Sequence, residues 1–322
     1  MAETKKKQLT GKKPTAGKNI TVKSEETLKT KKSLKKKSSK TSAIKKTDFP
    51  IAGIGASAGG LEALEIFFSN LPSECNMAFV IIQHLSPKHK SIMGSLLSKY
   101  TQMPVNEIKS GMKVEPNHVY LNPPDKNVVI QNGKLELMIP TKTDGINLPI
   151  DCFFKSMAAD LGEKAICIIL SGTATDGTLG LGAIKGGGGI AMVQTPDSAK
   201  YDGMPRSAIA TGIVDFILPV NKLPGELIKY IKTPYIRPPK TPKTPKTPKT
   251  PDDKFPEYIQ TIFALIRHTT GHDLSHYKQT TIRRRIERRM AVHQIAKISN
   301  YVKFLETNSA EVEILFKDML IG

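Results

Sequence analysis

Residues 49–60 read FPIAGIGASAGG, a short apolar run that passes directly into a glycine-rich turn. The run has the continuous apolar character of a strand that is buried on both faces. The next stretch, GGLEALEIFFSNL (residues 59–71), places leucine and phenylalanine on one side of a helix. A buried strand followed at once by a helix is the repeating unit of an α/β domain with a parallel sheet.

The same alternation continues along the chain. MAFVIIQHL (residues 77–85), KAICIILSG (164–172) and IAMVQTP (190–196) predict further buried strands, with helical patterns between them. NVVIQNGKLELM (127–138) predicts a hairpin with an Asn-Gly turn. We therefore predict an α/β fold with a doubly wound, mostly parallel sheet over residues 47–235.

Three further segments differ in composition from this domain. Residues 1–46 hold 16 Lys and 3 Glu with few large apolar side chains, which predicts a disordered basic tail. Residues 236–254 include four Lys-Thr-Pro triplets, which predict an extended linker. Residues 255–322 carry four amphipathic helical patterns and predict a small all-α module.

The net charge of +19 does not describe the central domain, where 16 basic residues are balanced by 17 acidic ones. The basic excess belongs mainly to the tail and the linker, so a nucleic-acid partner is not expected. Three cysteines without a CxxC pair indicate a reducing compartment, and no apolar stretch reaches the length of a membrane span. We expect a cytoplasmic protein without membrane insertion, metal or cofactor.

Three polar residues follow predicted strands: Ser57, His84 and Asp176. Each has an ordinary alternative: a dinucleotide phosphate loop for the turn around Ser57, a structural role for the histidine, and a turn or helix cap for the aspartate. Because parallel strands end at the same edge of a sheet, the three side chains are predicted to meet there. Together they supply the nucleophile, base and orienting carboxylate of acyl transfer.

Five motifs resemble the catalytic domain of chemoreceptor methylesterases of the CheB type: GASAGG, IIQHLSP, EPNHVYLNPP, LSGTATDGT and QTPDSAKYDGMPRSAI. The resemblance covers about residues 48–232 and implies hydrolysis of glutamyl methyl esters on the cytoplasmic helices of chemoreceptors. Some members of that family also deamidate receptor glutamines. The resemblance assigns Ser57 as nucleophile, His84 as general base and acid, and Asp176 as the residue that orients the histidine.

The resemblance also implies further site residues. Backbone N–H groups around Gly172 and Thr173 are expected to bind the oxyanion, and Met204 and Arg206 are expected to line the cleft. The family often has Thr after the serine and Met in the later turn, whereas this sequence has Ala58 and Thr173. A receptor-docking scaffold without activity is therefore the alternative.

The stretch GHDLSHYKQTTIRRRIERRM (residues 271–290) resembles the N-terminal helical domain of CheR-type receptor methyltransferases. Ile282, Ile286 and Met290 recur every four residues and are expected to face the core of the module. The arginines between them are then expected to point outward and dock on acidic receptor helices, or to form a solvated face; they are Arg284, Arg285, Arg288 and Arg289.

Two other expectations follow from this resemblance. No methyl-donor-binding domain follows the module in the sequence, so methyltransferase activity is not expected from this chain alone. No receiver domain precedes the esterase motifs, so activity is expected to be constitutive or controlled by a separate receiver-type regulator. His268, His272 and His276 are four residues apart, but Gly271 interrupts the helix and a metal site is not expected.

Overall fold

The computed structural model describes residues 47–84, 92–140, 146–233 and 255–321. Its strands are β1 (Ile51–Ala56), β2 (Ala78–Gln83), β3 (Val105–Glu107), β4 (Met112–Lys113), β5 (His118–Leu121), β6 (Asn127–Gln131), β7 (Lys134–Met138), β8 (Ala165–Ile169), β9 (Ile190–Gln194) and β10 (Phe216–Leu218). Its helices are α1 (Gly60–Ser69), α2 (Met93–Leu97), α3 (Pro149–Leu161), α4 (Thr178–Gly186), α5 (Gly203–Ala210), α6 (Leu223–Ile231), α7 (Phe255–Thr270), α8 (Gln279–Val292), α9 (Ile298–Thr307) and α10 (Ser309–Leu320). The predicted tail and linker, residues 1–46 and 236–254, lie outside the described residues.

Seven strands form one sheet in the order β10-β9-β8-β1-β2-β5-β3. All six neighbouring pairs are parallel, with Ala56 of β1 opposite Gln83 of β2 and Gly55 opposite Ile169 of β8. The strand order places β1 in the middle, so the chain winds outward from it in both directions. The predicted mostly parallel α/β sheet is confirmed.

A second, three-stranded sheet has the order β4-β7-β6 and is antiparallel. Its hairpin turns at Asn132 and Gly133, whose φ angles are +54° and +71°. Asparagine and glycine are the residues that adopt this left-handed conformation most readily, so the local sequence selects the turn. The predicted hairpin is confirmed.

Helices cover both faces of the large sheet because alternate strand residues point to opposite sides. On one face, Ala52 and Ile54 of β1 pack with α1 and α6. On the other face, Ile51 packs with α3, α4 and α5. The core of the domain therefore has two apolar layers, and the central strands are buried between them.

The four C-terminal helices have a core of their own, to which Ile282, Ile286 and Met290 of α8 contribute as the sequence predicts. Ala291 and Val292, at the end of the same helix, instead join the apolar layer of the sheet domain. Helix α8 thus packs on both parts of the chain, which belong to one compact unit.

The part of the chain that the structure describes contains no helix that is both long enough and apolar enough to span a membrane.

Candidate active site

Ser57, His84 and Asp176 meet at the carboxyl edge of the parallel sheet. Ser57 directly follows β1, and His84 directly follows β2, its neighbour in the sheet. Asp176 lies in the connection from β8, the neighbour on the other side of β1, to α4. The structure therefore brings together the three residues that the sequence singles out.

The loop that carries Ser57 is fixed by its backbone. The N–H of Ser57 donates to the carbonyl oxygen of Ser171 over 3.0 Å, which ties the loop to the end of β8. Gly59 has a φ of +71°, and a Cβ there would lie 2.7 Å from the Ser171 hydroxyl oxygen. Both the backbone conformation and the close approach require glycine at this position. The loop then passes straight into α1.

A chain of hydrogen bonds joins the three side chains. His84 Nδ1 lies 3.3 Å from Ser57 Oγ. On the other side of the ring, His84 Nε2 lies 2.9 Å from Asp176 Oδ2. The histidine side chain is 34% exposed and the aspartate 1%, so the ring separates a buried carboxylate from a serine that faces solvent.

Backbone N–H groups hold the Asp176 carboxylate in place. Oδ2 accepts from Ile150 N over 3.0 Å, and Oδ1 accepts from Asp151 N over 2.9 Å and from Gly177 N over 2.8 Å. Two of these donors belong to the first turn of α3, where free N–H groups and the helix dipole stabilise negative charge. The sequence carries no signal for this contribution from α3.

A second buried carboxylate connects the two helices beside Asp176. Asp151 Oδ1 accepts from Gly180 N in α4 over 2.7 Å. Burial raises the pKa of the Asp151 carboxyl, and the nearby Asp176 charge adds to that effect, while the bond from Gly180 opposes it. Asp151 thus joins the first turns of α3 and α4 on either side of Asp176.

Asn122 fixes the end of the strand that carries His84. Its Oδ1 accepts from Gln83 N over 2.9 Å, and its Nδ2 donates to Gln83 O over 3.0 Å. Both bonds are buried, so the residue before the histidine has a defined backbone position. Asn122 lies within the motif EPNHVYLNPP, which is the sequence feature that could have identified it as a site residue.

An open cleft of about 400 Å³ lies beside the serine. Ser57 and His84 line it together with Gln83, Lys200 and Tyr201. The Lys200 ammonium donates to Glu62 Oε1 over 2.8 Å at the rim, and this hydrogen bond raises the pKa of Lys200. Because the cleft is open and borders Ser57, it can admit an extended side chain to the serine.

Among the residues predicted to bind the oxyanion or line the cleft, Gly172 uses its N–H within the protein, whereas no described residue accepts from the Thr173 N–H. Gly172 N donates to Tyr201 O over 2.9 Å and is not available to a substrate. Thr173 is exposed, and its N–H has no acceptor among the described residues. Met204 is fully buried, and Arg206 is exposed and paired with Asp202. None of the four predicted residues lines the cleft described above.

Gly172 instead allows close packing behind the serine. A Cβ on Gly172 would lie 2.2 Å from the Met204 sulfur and 3.0 Å from Ser57 Cβ. Met204 is thus a packing residue that supports the Ser57 loop from the interior.

The arginines predicted to dock on receptors lie at the contact between the helical module and the sheet domain. Arg288 is fully buried, and Arg285 and Arg289 are 2% exposed. Arg284 is half-exposed, with Nε 3.4 Å from Glu163 Oε1. The predicted outward orientation is therefore wrong for Arg285, Arg288 and Arg289.

Carboxylates from both parts of the chain explain this burial. Arg289 Nη1 lies 3.0 Å from Asp215 Oδ1 of the sheet domain, and its Nε donates to Glu311 Oε1 over 2.8 Å. Arg288 pairs with Asp318, which also lies 3.0 Å from Lys185 Nζ. The 3.6-residue period separates the faces of α8 but does not show which face another domain covers.

The histidines that are four residues apart do not converge on a common ligand position. The His272 ring packs against Phe316, with ring centroids 4.8 Å apart and the planes tilted by 35°. Within the residues that the structure describes, no group of three or more His, Cys, Asp or Glu side chains could hold a metal ion.

A Ser-His-Asp chain at the carboxyl edge of a parallel sheet, open to a cleft, is the arrangement of a serine hydrolase. Comparison with known proteins identifies the family. The family model "CheB methylesterase" matches residues 52–227, and the model "CheR methyltransferase, all-alpha domain" matches residues 257–320. The chain belongs to the CheB methylesterase family and carries a CheR-type helical domain after it.

Individual relatives agree with this assignment. A protein-glutamate methylesterase/protein-glutamine glutaminase of Thermotoga maritima is 33% identical over 56% of this chain and 54% of its own length. The crystal structure of the T. maritima CheB methylesterase catalytic domain matches with a TM-score of 0.52 and 31% identity, covering 56% of this chain and 97% of that domain. An uncharacterised 104.1 kDa protein of Rhodobacter capsulatus is 34% identical over 71% of this chain. The chain spans 54% of the T. maritima relative and 25% of the R. capsulatus one.

Proposed function

We propose that this chain is a protein-glutamate methylesterase that hydrolyses glutamyl methyl esters on the cytoplasmic helices of chemoreceptors. The observation that carries the proposal is the continuous contact from Ser57 Oγ through His84 to the buried Asp176 carboxylate. The names of the relatives support the substrate class. In this proposal the helical module accompanies the esterase and does not transfer methyl groups.

The first half of the reaction forms an acyl-enzyme. His84 Nε2–H donates to Asp176, which leaves Nδ1 free to accept the proton of Ser57 Oγ. The serine oxygen attacks the ester carbonyl carbon, and the carbonyl π pair moves onto its oxygen. When that oxyanion collapses, methoxide leaves and takes the proton from His84 as methanol. The glutamyl group is then bonded to Ser57 Oγ.

The second half returns the enzyme to its starting state. His84 Nδ1 accepts a proton from water, whose oxygen attacks the acyl carbon. The second oxyanion collapses and expels Ser57 Oγ, which recovers its proton from His84. The overall reaction consumes one ester and one water and releases one glutamate side chain and one methanol. Asp176 stabilises the imidazolium in both halves and keeps the ring in its productive tautomer.

The test is methanol release from a methylated chemoreceptor cytoplasmic fragment by the intact chain. Ser57→Ala should lower the rate by at least about 10⁴-fold, because the nucleophile is lost. The control is Ser69→Ala, which removes an exposed hydroxyl at the end of α1 and should leave the rate unchanged. If no variant releases methanol while all unfold at the same temperature, the result contradicts the esterase and supports the receptor-docking scaffold.

The same site accommodates an amide substrate, since ammonia can replace methanol as the leaving group. The relatives are named for glutaminase as well as esterase activity. Ammonia release from a receptor fragment with glutamine at the substrate position tests this extension. A separate receiver-type regulator and a cytoplasmic location stay predictions from the sequence.

A further inference from the structure

The Gln83 side chain lies at the candidate active site. It is the last residue of β2, directly before His84, and lines the cleft with Ser57. Only 6% of Gln83 is exposed, yet its side chain has no hydrogen-bond partner among the described residues. Because Gln83 lines the cleft and no described residue engages its carboxamide, this group is available to pair with a ligand beside the nucleophile.

Gln194 shows how a glutamine at this edge of the sheet is used structurally. It ends β9 and is 1% exposed. Its Oε1 accepts from Ser171 N over 2.9 Å, and its Nε2 donates to Ser198 O over 2.8 Å. Gln194 thus uses both ends of its carboxamide within the protein, whereas no described residue binds either end of the Gln83 carboxamide.

The Gln83 side chain lies over the first turn of α1. Its Nε2 is 3.3 Å from the position that a Cβ on Gly60 would occupy, and Gly60 is the first residue of this ten-residue helix. The N–H of Ala58, in the turn before the helix, has no acceptor among the described residues, and Ala58 lines the same cleft. Two N–H donors that no described residue engages therefore lie on residues that line the cleft with Ser57, beside a helix N-terminus that favours negative charge.

The backbone of Gln83 is held before any substrate arrives. Asn122 binds both its N–H and its carbonyl oxygen. A donor whose position is fixed in advance stabilises developing charge without reorganisation during the reaction.

We propose that the Gln83 carboxamide and the Ala58 N–H form the oxyanion site, in place of the Gly172 N–H. The inference rests on the proposed esterase function. The ligand is the carbonyl oxygen of the scissile ester, which receives the π pair when Ser57 Oγ bonds to the carbonyl carbon. The N–H bonds to this oxygen strengthen as it becomes negatively charged, so the donors act on kcat more than on KM.

The test compares Gln83→Glu and Gln83→Ala with the wild-type chain in methanol release. Both substitutions remove the donor, and kcat should fall by about 10²-fold or more while KM changes little. A trifluoromethyl ketone analogue of the glutamyl ester forms a hemiketal oxyanion on Ser57. Its inhibition constant should rise by the same factor as kcat/KM falls, which a merely structural role would not produce. Gln131→Glu, an exposed glutamine in the small sheet, is the matched control.

A fluorophosphonate separates failure of this inference from failure of the proposed function. Ser57 Oγ displaces fluoride from phosphorus, and negative charge develops on the phosphoryl oxygen at the oxyanion site. Slow labelling of the Gln83 variants would support the role of Gln83 even if the wild-type chain released no methanol. Equal labelling rates, or variants that alter KM alone, would overturn it. A wild-type chain whose Ser57 does not react at all would overturn both proposals.

Discussion

The two ends of α4 lie in opposite electrostatic environments. At its N-terminus, Asp176 is held by backbone N–H groups and pairs with one partly exposed histidine. At its C-terminus, Lys185 is fully buried among Asp215, Asp318 and Arg288. The first end has few charges and opens to a cleft, while the second has many charges and is closed. The density of charged residues therefore identifies the interface between the two parts of the chain and not the candidate active site.

The closed end joins the sheet domain to the helical module. Arg285 of α8 donates to Lys185 O over 2.8 Å and to Ile321 O over 2.5 Å, so it binds carbonyls at the C-termini of α4 and α10. Lys185 and the arginines overcome burial and lower the pKa of Asp215. We expect changes at this end to alter stability and changes at the triad end to alter rate.

Asp176→Asn should have the largest effect. An asparagine amide nitrogen in the position of Oδ2 would face His84 Nε2 as a donor and force the other tautomer of the ring. Nδ1 would then carry a proton and could not accept one from Ser57. We expect kcat to fall by about 10⁴-fold, measured as methanol release.

The matched control at the closed end is Asp215→Asn, which also removes a buried carboxylate but does not touch the triad. It should lower stability and leave kcat of the folded protein unchanged. A comparable loss of kcat in both variants would contradict the separation between the two ends of α4.

Asp318→Asn should have the next largest effect, on stability alone. It removes the charge that pairs with Arg288 and Lys185, and leaves two buried cations without that partner. Loss of one member of a buried ion pair typically costs about 3–5 kcal/mol, to be measured by denaturant unfolding. The double variant Arg288→Met, Asp318→Leu should recover most of this loss, because apolar side chains of similar size need no partner. If the double variant is less stable than Asp318→Asn, the cost does not come from unpaired charge.

Acid should weaken the interface through Glu311. Burial opposes its charge, but hydrogen bonds from His293 and Arg289 outweigh burial and lower its pKa from 4.5 to about 2. Because the folded pKa is the lower one, the stabilisation is complete above about pH 4.5 and is lost as the pH falls toward 2. The difference corresponds to about 3 kcal/mol.

The check is the free energy of unfolding measured across this pH range for the wild-type chain and Glu311→Gln. Above about pH 4.5, Glu311→Gln should have a lower free energy of unfolding than the wild-type chain. That free energy should fall less than the wild-type value as the pH decreases toward 2. Glu313→Gln, an exposed residue of the same helix, should follow the wild-type curve. Parallel curves for Glu311→Gln and the wild type would show that Glu311 does not titrate with unfolding.

The sequence predicts that Ser57, His84 and Asp176 meet because residues that follow parallel strands lie at the same edge of a sheet. Once β1, β2 and β8 are recognised as parallel strands, their carboxyl ends must share an edge, so Ser57 and His84 meet wherever the strands are neighbours. Asn122 and Asp151 could not be assigned in the same way. Each acts by binding the backbone of a distant segment, and a sequence does not show which N–H groups will lie beside a given side chain.

The arginines of α8 show the other limit. Their period correctly separates them from Ile282 and Ile286, but burial of Arg288 depends on carboxylates more than 25 residues away, such as Asp318, and on the sheet domain. Arginine runs are usually solvated because an unpaired buried charge is costly. In the folded chain each buried arginine has a partner from a separate segment, and these partners compensate that cost. Arg285 donates to Lys185 O. Arg289 pairs with Asp215, and Arg288 pairs with Asp318.

The smallest effect is expected from the ion pair at the rim of the cleft, between Lys200 and Glu62. Both side chains are more than half exposed, at 56% and 58%, so Lys200→Met should leave the free energy of unfolding nearly unchanged. Its charge can still act on an acidic substrate that approaches the cleft. We expect KM for the receptor fragment to rise at low salt, with kcat unchanged, and Glu62→Gln to lower KM instead. Both differences should disappear near 1 M salt, where charges are screened within about 3 Å. If the differences in KM persist at 1 M salt, the Lys200–Glu62 pair behaves like the buried charges of the interface, whose interactions are not screened by salt.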